Sequence, residues 1–181
     1  VVIEEDAKAS EIKGKAGAIE VVTEDGRTIK GTHLLMAVGR KTNTDKLNLE
    51  AAGIETTKTG IKVDDSLRTT NRRVYAIGDA AGGLQFTHVA GYHAGVIIRS
   101  MLFALPSKAK VTHIPWVTYT EPELAQVGMT EAQARKEHGI YLEVVRFDYA
   151  HNDRAIAERK TKGFIKVMVY KGRPVGASIV G

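Results

Sequence analysis

Thr70-Asn71-Arg72-Arg73-Val74-Tyr75-Ala76-Ile77-Gly78-Asp79-Ala80 is the stretch that decides how this chain is read. Val74 to Ile77 is a short apolar run between polar flanks, too short for a helix, and it reads as a buried strand. Gly78-Asp79 then puts a carboxylate at the carboxyl end of a sheet strand, where open α/β folds hold their ligands. Gly78 has no Cβ and lets another group come close, while Asp79, ionised at neutral pH, accepts hydrogen bonds from polyol hydroxyls. Alone, a Gly-Asp pair is equally well a surface turn with a capping aspartate.

Downstream, a glycine-rich turn leads to Thr87, which is placed to cap a helix from His88 to about Leu105, stopped by Pro106. The N-terminus of that helix offers unpaired N–H groups and the positive end of a dipole. Ala90, Gly91, Ala94 and Gly95 are small enough for it to pack closely on a sheet. Upstream, Glu24-Asp25-Gly26 between Ala18–Thr23 and Arg27–Lys30 predicts a β-hairpin. His33 to Val38 reads as a buried strand that delivers Gly39-Arg40 to a sheet edge. A short helix is expected near Leu47 to Ala52, closed by Gly53.

A polar stretch, Ser107-Lys108-Ala109-Lys110, reads as the link into a second part that is α+β and mainly antiparallel. Its expected elements are a strand at Ile114–Thr118, a helix opened by the capping box Thr130-Glu131-Ala132-Gln133 and ended by Gly139, and strands at Tyr141–Asp148 and Gly163–Tyr170. Lys171-Gly172 turns the chain into a last strand from Pro174. Ala177 to Gly181 is an apolar, strand-like run with nothing after it to pair with or cover it, and the chain starts without Met. Truncation at both ends is the expectation.

Composition narrows the function classes. The 181 residues are 43% hydrophobic, enough for a folded core, and no apolar run approaches the roughly 20 residues of a membrane span. A start at Val1-Val2-Ile3 followed by Glu4-Glu5-Asp6 is unlike a secretory leader, so a cytoplasmic protein is expected. The net charge of +5 is dispersed, without the basic stripe and interleaved aromatics of a nucleic-acid surface. With no cysteine there is neither a disulfide framework nor a thiolate metal site within these residues. His88 and His93 are five apart, about 500° around a helix, and so off the common face that a helical zinc pair needs. Asp153-Arg154 reads as a local ion pair or interface contact.

Thr70 to Asp79 resembles the second FAD-binding motif of the pyridine nucleotide-disulfide oxidoreductases, the flavoenzymes that include dihydrolipoamide dehydrogenase, glutathione reductase and mercuric reductase. Further matches follow in the family's order. Leu34 to Arg40 resembles the segment joining the NAD-binding domain back to the FAD domain, with Asn43 in the following loop. Thr42 stands where the family commonly has proline, a departure expected to touch loop stiffness only. Gly60-Ile61-Lys62-Val63-Asp64 fits the run before the motif, and Gly83 to Ala90 the segment under the flavin. Tyr119 to Gly128 resembles the opening of the dimerisation domain, and Asn152 to Ala155, Gly163 to Val167 and Gly176 to Gly181 its later parts. Phe86 to Gly95 is closer to mercuric reductase-like members and dihydrolipoamide dehydrogenase relatives than to glutathione reductase.

The resemblance implies an α/β plus α+β architecture. Residues 1–38 would end an NAD-binding domain, 39–110 would form the second segment of a Rossmann-like FAD-binding domain, and 111–181 would begin an α+β dimerisation domain with an antiparallel sheet. It implies FAD contacts at Gly39, Arg40, Gly78, Asp79, Phe86, Thr87 and His88, with the His88 backbone rather than its ring at the flavin. It also implies NAD(P)H as electron donor, a homodimer, and a disulfide, Hg(II) or small-molecule acceptor, without nucleic acid or membrane. Tyr119 to Val127 should face the partner subunit or the active-site cleft. No catalytic residue and no metal ligand is expected here, since the nucleotide phosphate loops, redox cysteines and acid-base histidine all lie outside these residues. The alternative is a non-catalytic dimerisation or interaction module, which would have no use for Gly78-Asp79 and Thr87-His88.

Overall fold

A computed structural model describes residues 1–181, which form two compact units, 1–40 and 41–181. The first is a three-stranded antiparallel sheet in the order β1-β2-β3, with β1 at Ala9–Lys15, β2 at Ala18–Thr23 and β3 at Thr28–Gly31. The expected hairpin is β2–β3. Its turn closes through the Gly26 N–H on the Thr23 carbonyl at 2.9 Å, with Gly26 at φ +83°, a conformation that favours glycine. The strand expected over His33–Val38 does not form: the segment is irregular, and Leu35 and Val38 are 88% and 90% exposed. An apolar run becomes a strand only when a neighbour satisfies its backbone, and no segment of this chain pairs with it.

In the second unit, residues 41–77 are turns and single bridges around a small core of Ile54, Ile61 and Ala76. Burying each isoleucine contributes roughly 2 kcal/mol. The expected helix at Leu47–Ala52 is a turn only: the N–H groups of Ala52 and Gly53 reach three residues back, to Leu49 and Glu50, and Gly53 at φ +67° reverses the chain. Val74–Ile77 is extended but makes no ladder. It pairs through one bridge, Arg68 with Tyr75, flanked by Thr69 N–H on Val74 O and Ala76 N–H on Leu67 O. Ala76 is buried but Ile77 is 37% exposed, so the two-sided burial read from the apolar run is only half realised.

Gly78–Ala81 is one turn of 3₁₀ helix, and α1 follows over Thr87–Phe103. Phe86, not Thr87, is the N-cap, and it brings no side-chain acceptor. Val89, His93 and Val96 are the buried positions of α1, at the helical spacing of one inward face. The helix ends at Ala104, left-handed at φ +50°, two residues before Pro106.

The rest is a five-stranded antiparallel sheet in the order β4-β5-β8-β7-β6: β4 Trp116–Thr118, β5 Leu124–Gly128, β6 Leu142–Asp148, β7 Phe164–Tyr170 and β8 Arg173–Val180. Two helices accompany it, α2 at Glu131–His138 and the short α3 at Asp153–Ala157. The capping box is present: the Gln133 N–H donates to Thr130 Oγ1 and the Thr130 N–H to Gln133 Oε1, and Gly139 closes the helix. The run Ala177–Val180, with nothing after it to pair with, is bonded on both sides by strands that precede it, β5 and β7.

One face of the sheet packs on α2 through Ala134, Leu142 and Met168. Glu131 of α2 accepts from Lys166 of β7 at 2.7 Å, and Lys166 first, then Arg135, holds its carboxyl below the usual carboxylate value. That contact stabilises the fold above the ordinary carboxylate range and is lost as pH falls through the lowered value. Register puts Val145, Phe147, Ile165, Val167 and Ile179 together on the opposite face, where Val145 is 56% and Phe147 47% exposed.

Gly176 is where β8 passes the β5–α2 connection: a Cβ there would lie 2.0 Å from the Met129 carbonyl oxygen, a backbone atom that cannot step aside. Gly176→Ala is expected to cost about 3 kcal/mol, at the upper end for overpacking. Urea unfolding monitored at Trp116 would measure it, and a loss below about 1 kcal/mol would contradict the close approach.

Candidate functional site

The Gly78–Ala81 turn is held from every side that does not face solvent. Gly78 sits at φ +56°, and a Cβ on it would meet the Ala90 Cβ at 2.7 Å, so the turn touches α1 at a point only glycine fits. The Gly78 N–H donates to His93 Nδ1 at 3.1 Å in a buried hydrogen bond. Across the turn, the Ile61 N–H donates to the Ala80 carbonyl at 2.8 Å, and a Cβ on Gly60 would meet that same oxygen at 2.7 Å. Thr42 Oγ1 lies 2.9 Å from the Thr59 carbonyl and 3.3 Å from that of Asp79. Asp79 itself is exposed, so the frame presents a carboxylate to solvent.

His93 is 7% exposed, and burial pushes its imidazole below the ordinary value of about 6.5. It is therefore neutral at pH 7. Since Nδ1 accepts from Gly78, the ring proton is on Nε2. In α1's first turn, His88 Nε2 lies 2.8 Å from the Pro115 carbonyl and must be the donor, while its ring stacks on Phe86 at 5.4 Å. Phe86 gives no side-chain cap, and the Val89 N–H turns back to the Phe86 carbonyl at 3.0 Å, which leaves the N–H groups of Thr87 and His88 without a side-chain acceptor from the N-cap.

Of the expected site residues, Gly78 and Asp79 are brought against α1, and Phe86, Thr87 and His88 form its start. Gly39 and Arg40 end the first unit, Gly39 at φ +129° with open space where a Cβ would be. Of the small residues read as packing positions, Ala90 meets the turn, whereas Gly91 and Gly95 face open space. Thr42 does more than soften a loop, because its hydroxyl bonds the motif, which proline could not do. His93, which the sequence excludes from a helical zinc pair with His88, is a buried residue of α1. Its spacing with Val89 and Val96 is the sequence signal that turns it inward. Arg154 makes a local ion pair with Glu158 rather than Asp153. A cleft of about 990 Å³ between Glu121–Glu123 and Arg154–Lys162 is lined by none of the site residues.

Residues 1–94 match the family described as pyridine nucleotide-disulphide oxidoreductase, and residues 114–181 its dimerisation domain. The chain belongs to this family. Among curated relatives it is 38% identical to a dihydrolipoyl dehydrogenase of Bacillus subtilis (strain 168), over 100% of this chain and 39% of that protein. It is 37% identical to a mercuric reductase of Staphylococcus aureus, over 94% and 32%. Among solved structures, LpdA from Mycobacterium tuberculosis aligns with a TM-score of 0.86 at 27% identity, covering 97% of this chain and 39% of that one. The HOCl-induced flavoprotein disulfide reductase RclA from Escherichia coli aligns with a TM-score of 0.82 at 31% identity, over 97% and 41%. The chain thus spans between about a third and two fifths of the length of these curated relatives.

The His93–Gly78 bond has a pH dependence of fixed sign. A histidine whose folded value is depressed contributes its full stability above about pH 6.5 and loses it as pH falls towards the lower folded value. The protection factor of the Gly78 amide in hydrogen exchange should be level from pH 8 to 7 and drop below about 6.5. Protection unchanged down to pH 5 would contradict a neutral acceptor at His93.

Proposed function

We propose that this chain is part of an FAD-dependent oxidoreductase that passes electrons from NAD(P)H through flavin to a disulfide, Hg(II) or a similar acceptor. Residues 1–38 end its NAD-binding domain, 39–110 are the second segment of its FAD-binding domain, and 111–181 are part of its dimerisation domain. The observation that carries this reading is the exposed carboxylate of Asp79 on a turn packed at Gly78 against α1. The names of the relatives, a dihydrolipoyl dehydrogenase and a mercuric reductase, support the class of acceptor.

The residues suit FAD. Glycine at 78 lets the turn sit directly on α1, the exposed Asp79 stands beside it as an anionic acceptor, and α1 begins without a side-chain cap. FAD, when bound, supplies the electron carrier between nicotinamide and acceptor. Asp79 would accept hydrogen bonds from sugar or ribityl hydroxyls of FAD, whereas the open side of Gly78 is taken up by Ala90 of α1 and holds the turn in place. The Thr87 and His88 N–H groups, with the positive end of the α1 dipole, favour negative charge on the flavin ring, a contribution of about 1 kcal/mol. The His88 ring, engaged with Pro115, fixes the position of those N–H groups. Gly39, Arg40 and Phe86 complete the proposed contacts.

A homodimer accounts for the uncovered apolar face of the five-stranded sheet, with Val145 and Phe147 as its most exposed members. In the full-length polypeptide, Asp79→Ala should lower flavin content per chain at least tenfold, read from visible absorbance after gel filtration. Unchanged flavin content would remove the assignment, and a colourless full-length protein would favour an interaction module instead. Val145→Lys with Phe147→Lys should halve the mass found by sedimentation while leaving flavin absorbance in place. An intact dimer would exclude this face.

A further inference from the structure

The first N–H of a helical turn has no acceptor within its own turn, and inside a core it needs one from elsewhere. At Gly78 the neighbouring backbone supplies none. The acceptor is the Nδ1 of His93, a side chain from α1, 3.1 Å away and nine-tenths buried. The same turn meets α1 at one further point, Gly78 against Ala90, one helical turn before His93. Two contacts on one face of α1 therefore set where the Asp79 carboxylate stands relative to the start of that helix at Thr87 and His88.

Packing alone does not require histidine here. A leucine fills a similar space but leaves the Gly78 N–H buried and unpaired, whereas asparagine offers an acceptor oxygen close to the place of Nδ1. We propose that His93 is a positioning residue for the flavin site. As a neutral acceptor it locks the Gly78-Asp79 turn onto α1, so that the carboxylate and the N-terminal N–H groups of α1 meet one flavin in fixed register. The inference rests on the proposed FAD site and adds a residue that itself touches no flavin.

The test uses the full-length protein with FAD as the probe. His93→Leu should raise the dissociation constant for FAD about tenfold, and His93→Asn should stay within about threefold of wild type. FAD bound equally well by the leucine variant, or equally poorly by both variants, would overturn the proposal. Should the leucine variant fail to fold, the wild-type ring decides: ¹⁵N spectroscopy should find Nδ1 unprotonated and coupled across the hydrogen bond to the Gly78 amide. A protonated Nδ1 would overturn it. Asp79→Ala separates the two levels. If it releases flavin while His93→Leu does not, only the role of His93 fails; if it does not release flavin, the site itself fails.

Discussion

The buried hydrogen bond from Gly78 to His93 is the constraint around which residues 41–103 are arranged. A buried N–H without an acceptor costs roughly 1–3 kcal/mol, a large fraction of the 5–15 kcal/mol that holds a whole domain together. The turn cannot leave α1 without that cost, and it cannot come closer because Gly78 already touches Ala90. On its far side the turn is fixed by Ile61 and Thr42. Little regular secondary structure surrounds it, so it is held by pairing the Gly78 N–H and the Asp79 and Ala80 carbonyls to specific partners.

That distribution of partners explains what could be read in the sequence. Elements specified by local chemistry were legible: the Asp25-Gly26 hairpin, the capping box at Thr130, the Lys171-Gly172 turn and the strands on either side of it all form where expected. Elements specified by a neighbour were not. His33–Val38 has the composition of a buried strand but nothing here to pair with, and Val74–Ile77 has a single bridge. The site divides in the same way. Gly78, Asp79 and the start of α1 stood out as a motif, while the roles of His93 and Thr42 depend on groups 15 and 37 residues away in the chain.

The five-stranded sheet gains its regularity by excluding side chains at its crossings. Gly128 and Gly176 face each other in register where β5, β8 and the entry to α2 converge, and neither has room for a Cβ. Gln126, buried beside them, donates through Nε2 to the carbonyls of Val127, Gly128 and Met129, and Ser178 donates to its Oε1. With α2 covering one face and apolar side chains on the other, the sheet resembles half of a two-sided core.

The position of β8 also bears on synthesis at the ribosome. β6, β7 and β8 are successive strands whose neighbours lie close in sequence, and they can pair as the chain emerges. β5 has to wait, since Gln126 meets Ser178 across 52 residues. Until then the β4–β5 ribbon carries an open edge, the kind that pairs promiscuously with other nascent chains. Its own length limits that exposure: β4 has three residues and β5 five, too few to make a durable template.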